Sequence, residues 1–266
     1  MYKRQSEYRG KAFSRFGGIN RIGWFFGPVI GGFTAGSIRI DIPFYIISIV
    51  ALITTILIFF TTEPTNENLI QSNEIKPPTF KETILDNKKS FTIGGSGHFI
   101  MQFLRQCRHV LIPIWAFSIG LGVEELGLIQ SISAAIDMTL FYPVGLIMDK
   151  YGRKWTSVPS IILLSLGFIF MTYVDSFNGL MLVGLLLGFA NGLGSGAMLT
   201  LGSDLSPKNQ PGSFLGIWRL FGWSGNSAGG PISGAIAQTV GNTASALSIS
   251  MICLLYTSDA ADEKVR

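Results

Sequence analysis

From Ile42 to Phe60 the chain carries no charged residue, and that single run decides what kind of fold is open to it. As a helix it is long enough to cross a hydrocarbon layer of about 30 Å. Inside lipid every backbone N–H and C=O must be satisfied within a helix or a closed barrel. The run is apolar throughout rather than alternating, so a helix is predicted and a barrel strand is not. Composition agrees: 48% hydrophobic against 14% charged, with a mean hydropathy of +0.43, leaves too little charge to coat a soluble domain.

Further runs of the same kind occur at about Phe16 to Ser37, Ile42 to Thr61, Phe91 to Ile119, Leu126 to Met148, Trp155 to Tyr173, Leu180 to Gly202 and Phe214 to Val240, and another begins near Ala244. The expected fold class is all-α and integral to a membrane. The loops orient it by the excess of Lys and Arg on the cytoplasmic side. Arg9, Lys11 and Arg15, then Lys76, Lys81, Lys88 and Lys89, then Lys150, Arg153 and Lys154, then Lys208 mark cytoplasmic loops, whereas the alternate loops carry little positive charge. The stretch 62–90, with Pro77, Pro78 and several Asn and Lys, reads as a polar cytoplasmic linker between residues 6–61 and 91–252.

Both ends read as foreign. Tyr2 to Gln5 back-translate as TATAAGAGACAG, whose reverse complement in a shifted frame encodes Cys253, Leu254, Leu255 and the start of Tyr256. One sequencing adapter then explains residues 1–5 and 253–266, and these are set aside. Cys107 is the one cysteine left, so no disulfide is expected within the chain.

The stretch Gly145 to Lys154, GLIMDKYGRK, packs Asp149, Lys150, Arg153 and Lys154 into a tight turn between two apolar runs, with Gly145 and Gly152 permitting close approach and a change of direction. It resembles motif A of the major facilitator superfamily, G-x-L-A-D-R-x-G-R-K. Gly23, Gly27, Pro28, Gly31 and Gly32, within GWFFGPVIGG, resemble motif C of the antiporter families, with Ser14 where that pattern has an earlier glycine. A weaker echo, Gly212, Arg219 and Gly230-Pro231, falls at offsets close to those of Gly10, Arg15 and Gly27-Pro28, the parallel repeat expected of two related halves.

The resemblance implies a twelve-helix fold of two six-helix bundles. The runs here then correspond roughly to helices five to twelve: residues 6–61 would end the N-terminal bundle and 91–252 would form most of the C-terminal one. It also implies that motif A is a gate, with Asp149 against the N-terminal end of the first span and Arg153 bridging to Asp204.

The glycines also have a plain reading. Gly184, Gly188, Gly192 and Gly196 recur every fourth residue, which lets helices pack closely. No Gly-Lys-Ser/Thr follows a glycine-rich turn, GWSGN around Ser224 lacks the last glycine of a nucleophile elbow, and His98 and His109 with Cys107 lack metal-ligand spacing. No catalysis, metal or cofactor is expected, and no nucleic-acid partner.

Charge inside a span costs about 2.5 to 3.5 kcal/mol at mid-depth, so it marks a pair or a watery cavity. Asp137 is the one acid well inside a span, roughly 18 Å from Asp149 by helical rise, and Arg105 lies at a similar depth on the preceding span. His98, Gln102, Arg105 and either Arg108 or His109 recur at three and four residues, as do Gln130, Ser133 and Asp137, so two polar stripes are expected to face one cavity. A structural salt bridge and a role in proton or substrate coupling both fit the Asp137 and Arg105 pair. Arg219 lies within its span, able to reach an anionic group or to snorkel to the interface.

The expectation is a multi-pass protein of the cell (plasma or inner) membrane, resembling the drug:proton antiporters, whose partners are a small-molecule substrate, protons and the lipid bilayer. A sugar or metabolite symporter and a non-transporting membrane sensor or assembly protein are the alternatives.

Overall fold

A computed structural model of the chain describes residues 22–61, 79–194, 196–207 and 211–262, apart from the side chains of 199 and 256–262. The residues 1–5, most of the linker and the N-terminal end of the first span lie outside that description. The elements are α1 (22–37), α2 (Ile42–Thr61), α3 (Phe80–Asp86), α4 (Lys88–Ser90), α5 (Ser96–Ser118), α6 (Val123–Tyr151), α7 (Lys154–Met171), α8 (Phe177–Gly194), α9 (Ala197–Leu205), α10 (Pro211–Thr239) and α11 (Asn242–Asp262). A single π-helical turn, Phe91–Gly95, joins α4 to α5. There is no strand among the described residues, and the fold is all-α. Among the described residues four helices, α2, α6, α7 and α8, are long and apolar enough to cross a membrane by themselves. α5 and α10 equal them in length, but the polar residues of α5 and the glycines and serines of α10 lower their apolarity.

The bundle is held by close backbone approach rather than by large side chains, as expected where lipid tails are as apolar as Leu. α6 and α8 run side by side in the same direction. A Cβ at Gly184, Gly188 or Gly192 of α8 would fall 2.8 Å from Ile129 Cγ2, 2.4 Å from the Ser133 carbonyl and 2.8 Å from Leu140 Cδ1. The glycine stripe is therefore the seam on which α6 lies. α5 and α10 also run parallel, with Gly222, Gly225 and Gly229 of α10 against His98, Phe99 and Phe103 of α5. α7 packs on α8 and α11, and Met101, Leu104, Ile112, Leu164, Phe168 and Leu187 fill the space between these helices. No residue of α2 is buried.

Two features depart from the sequence reading. The run Leu180 to Gly202 is broken: α8 stops at Gly194 and α9 begins after Gly196, which adopts φ +83°. An L-residue meets its own carbonyl there, so the glycine permits the break. Secondly, the stretch read as linker contains α3. Glu82 accepts the Thr79 N–H at 2.9 Å, a capping-box contact that starts the helix. Ile84 then packs toward the cluster of Phe91, Phe214 and Trp218.

Candidate functional site

Three groups of residues carry the sequence-based expectations, and the fold keeps them at three places. The first is the α6–α7 turn. α6 ends at Gly152, whose φ of +91° and ψ of 166° suit glycine alone, and the Gly152 N–H closes the last turn on the Met148 carbonyl at 3.0 Å. Lys150 lies in that last turn, where a cation complements the helix C-terminus. Arg153 stands at the N-terminal end of α7 and forms an ion pair with Asp204 of α9. Asp149 and Lys154 are exposed, and Gly145 has open space around it. The end of the first span against which Asp149 was expected lies outside the described residues.

The second place is α1. Gly32 lies on α6, where a Cβ would meet the Val123 carbonyl at 2.8 Å and Gly127 Cα at 2.9 Å. Gly127 in turn faces the Pro28 carbonyl, and Ser37 donates a 2.6 Å hydrogen bond to Glu124. α1 and α6 are thus antiparallel and in backbone contact. Gly23, Gly27 and Gly31 have nothing within 4 Å of a built Cβ and line a cavity of about 640 Å³ with Pro28, Pro43 and Ile46.

The third place is the polar centre of α5. Arg108 is buried, 4% exposed. Its Nη1 donates to the Leu187 carbonyl at 3.1 Å and to Ser133 Oγ at 3.4 Å. Asp137 lies one turn beyond Ser133 on α6, its Cα 3.2 Å from where a Cβ on Gly192 of α8 would stand. Arg105 Nη1 donates to Gln102 Oε1 at 3.2 Å. Gln102, Arg105, Arg108, Ser133 and Asp137 therefore form one neighbourhood across α5 and α6, with α8 behind it. Trp24 of α1 reaches the same helix, its ring 5.5 Å from that of His109.

Two expected members lie elsewhere. His98 is buried in the contact between α5 and α10, with Nδ1 3.0 Å from the Trp218 carbonyl and its ring stacked on the indole. The physical reason is that the α10 contact winds around α5, from Gly95 and His98 at one end to Gln106 and Val110 at the other. Two residues seven apart on one helical face then meet different neighbours. Arg219 is exposed on α10, next to Trp218, which faces inward. One residue escaped the sequence reading: Asn191, buried on α8 one turn beyond Leu187, with no hydrogen-bond partner for its Oδ1. An amide interrupting an otherwise apolar, glycine-rich stripe was the available signal. Among the described residues no three of His, Cys, Asp and Glu converge as a metal site would require.

Comparison with known proteins adds an independent line. The family model described as Major Facilitator Superfamily matches residues 4–104 and 94–258. The chain is 29% identical over 157 residues to the multi-drug resistance efflux pump PmrA of Streptococcus pneumoniae, covering 57% of this chain and 37% of that protein. It is 26% identical over 165 residues to the probable nitrate transporter NarT of Staphylococcus carnosus, covering 59% and 41% respectively. The matched part is therefore about two fifths of the length of these relatives. Among solved structures, a POT family transporter in complex with 5-aminolevulinic acid superposes with a TM-score of 0.53 at 15% identity, over 82% of this chain and 52% of that one. That likeness concerns the fold.

Proposed function

The chain belongs to the major facilitator superfamily, a family of membrane transporters and not of enzymes, and from that premise we propose that it serves proton-coupled efflux of small drug-like or metabolite solutes by alternating access. In this reading α1 and α2 are the fifth and sixth spans, the stretch 62–90 joins two bundles, the helices from α5 onward form the second bundle, and the membrane is the plasma or inner membrane. Residues 1–5 and 253–266 remain proposed adapter sequence.

The observation that carries export over import is the seating of Gly32 on Gly127. The helix bearing the antiporter-type motif meets the first helical pair of the other bundle with no side chain between the backbones. A contact of that kind is either closed or broken, which suits a seal on one side of an alternating-access transporter. The Arg153–Asp204 pair supports the α6–α7 turn as the gate on the opposite side. Asp137 and Arg105 are proposed as coupling residues because an ionisable pair at mid-depth is otherwise costly.

The test is ethidium accumulation in bacterial cells lacking their own efflux pumps and expressing the full-length protein. Export predicts lower accumulation that rises when an uncoupler collapses the proton gradient; unchanged or raised accumulation contradicts it. A second reading, symport of a metabolite or anion, draws on the relative whose name gives nitrate as its solute.

A further inference from the structure

Where α5 meets the membrane surface, apolar side chains and cations are exposed side by side. α3 turns buried Thr83 and half-buried Ile84 toward the cluster of Phe91, Phe214 and Trp218, while Phe80 and Leu85 stay exposed on it. Large apolar side chains gain by leaving water, and lysines stand among these two. Lys81 lies one turn before Leu85, and Lys88 and Lys89 follow the break at Asn87. All three lysines are exposed, and among the described residues none forms an ion pair. Of the two acids on α3, Glu82 is engaged by the Thr79 N–H, and Asp86 lies one turn further along the same stripe.

Below Lys88 a groove of about 360 Å³ opens between this segment and α10, walled by Ile84, Leu85, Phe91 and Phe221, with Lys88 at one end and Ser96 at the other. Its floor is fixed by aromatic contacts. The Phe91 ring lies 4.7 Å from that of Phe214 and 5.8 Å from that of Phe221, and a Cβ on Gly95 would fall 3.3 Å from Phe221 Cγ. From Lys88 to Ser96 the helical rise is roughly 12 Å. The groove is thus an apolar slot with a cation at its mouth. A peptide laid in it would bring backbone N–H and C=O groups that such walls cannot satisfy, whereas an amphiphile would place hydrocarbon below and an anion above.

We propose that this groove binds an anionic phospholipid, one acyl chain lying along Phe91 and Phe221 and the phosphate held by Lys88 and Lys89. α3 then rests in the interface on Phe80 and Leu85, with Lys81 toward the anionic surface. The inference goes beyond the efflux reading and depends on neither the direction nor the coupling of transport.

The test is native mass spectrometry of the full-length protein released from detergent, titrated with dioleoylphosphatidylglycerol and separately with dioleoylphosphatidylcholine, which has the same chains and no net headgroup charge. The wild type is expected to retain one phosphatidylglycerol at concentrations where phosphatidylcholine is not retained. Lys88→Gln combined with Lys89→Gln should weaken that binding roughly 10- to 30-fold, at about fivefold for each lysine near an anionic group. Ser96→Phe, which fills the groove and leaves the charges in place, should weaken it comparably. The two lysines are exposed, so their variant keeps the test open if Ser96→Phe does not fold. Equal retention of the two lipids, or phosphatidylglycerol affinity unchanged in the lysine double variant, overturns the proposal. Affinity unchanged in folded Ser96→Phe overturns it too, leaving a charged surface without a groove. Retention of neither lipid also overturns it and is the result expected if other helices of the full-length protein cover the groove. A full-length protein that binds the lipid and transports nothing would refute the efflux reading and leave the lipid site standing.

Discussion

Gly32 and Gly127 lie backbone against backbone: a Cβ on Gly32 would stand 2.9 Å from Gly127 Cα, and one on Gly127 would stand 3.0 Å from Gly32 Cα and 2.5 Å from the Pro28 carbonyl. Neither helix can take a side chain there without moving. Gly127→Ala should therefore destabilise the full-length protein by about 1 to 3 kcal/mol, the usual cost of overpacking. Gly31→Ala, with nothing within 4 Å, should be neutral or gain up to about 1 kcal/mol from helix propensity. Thermal unfolding of the two variants in detergent gives the comparison.

The Arg153–Asp204 pair joins α7 to α9 with both side chains at least a third exposed. Exposed pairs contribute roughly 0 to 1 kcal/mol, so Asp204→Asn should barely shift the unfolding midpoint. If the turn is a gate, Asp149→Asn and Asp204→Asn should lower turnover while substrate affinity in detergent is retained. An equal loss of turnover and affinity would assign these residues to binding.

Asp137 is expected to be required for transport. Neutralising it alone should abolish activity, and neutralising it together with Arg105 should leave the protein inactive. Restored transport in Asp137→Asn with Arg105→Gln would mark the pair as a structural salt bridge with no part in coupling.

Gly196 and Gly152 hold positive φ angles of +83° and +91°. Alanine at either position is expected to cost about 1 to 2 kcal/mol for the left-handed backbone, and Gly196→Ala should favour fusion of α8 with α9. Unfolding midpoints measure the first effect, and a distance between spin labels on α8 and α9 measures the second.

The Glu82 carboxylate at the start of α3 accepts the Thr79 N–H and is held below the ordinary glutamate value of 4.5 by its hydrogen bonds to Thr79. A carboxylate whose folded pKa is depressed contributes above its unfolded pKa, and loses the contribution as pH falls through the folded one. Amide protection of α3 should accordingly weaken as pH drops below 4.5. Glu82→Gln should remove that pH dependence; a profile identical to wild type would contradict the capping account.

The membrane helices were legible because lipid imposes a length and an apolarity that Ile42 to Phe60 meets without help from other segments. The spacing of Gly184, Gly188 and Gly192 was legible as a packing stripe because close approach demands small residues at every fourth position. Gly196 belongs to the same series, yet its role is conformational, and spacing does not separate a glycine that admits a neighbour from one that breaks a helix. His98 misled for a different reason. A helical wheel assumes one neighbour along a whole face, whereas α10 winds across α5 and takes His98 while leaving Arg105 beside Gln102. The Thr79 to Glu82 spacing that starts α3 was present in the sequence, masked by the prolines and charges that made its surroundings read as linker.

Proton and solute movement in proteoliposomes tests the central account most directly. With the full-length protein reconstituted cytoplasmic face outward and the lumen made acidic, added ethidium should enter the lumen while an entrapped pH dye reports proton loss. Solute and protons moving in the same direction, or solute uptake indifferent to the gradient, would contradict proton-coupled export.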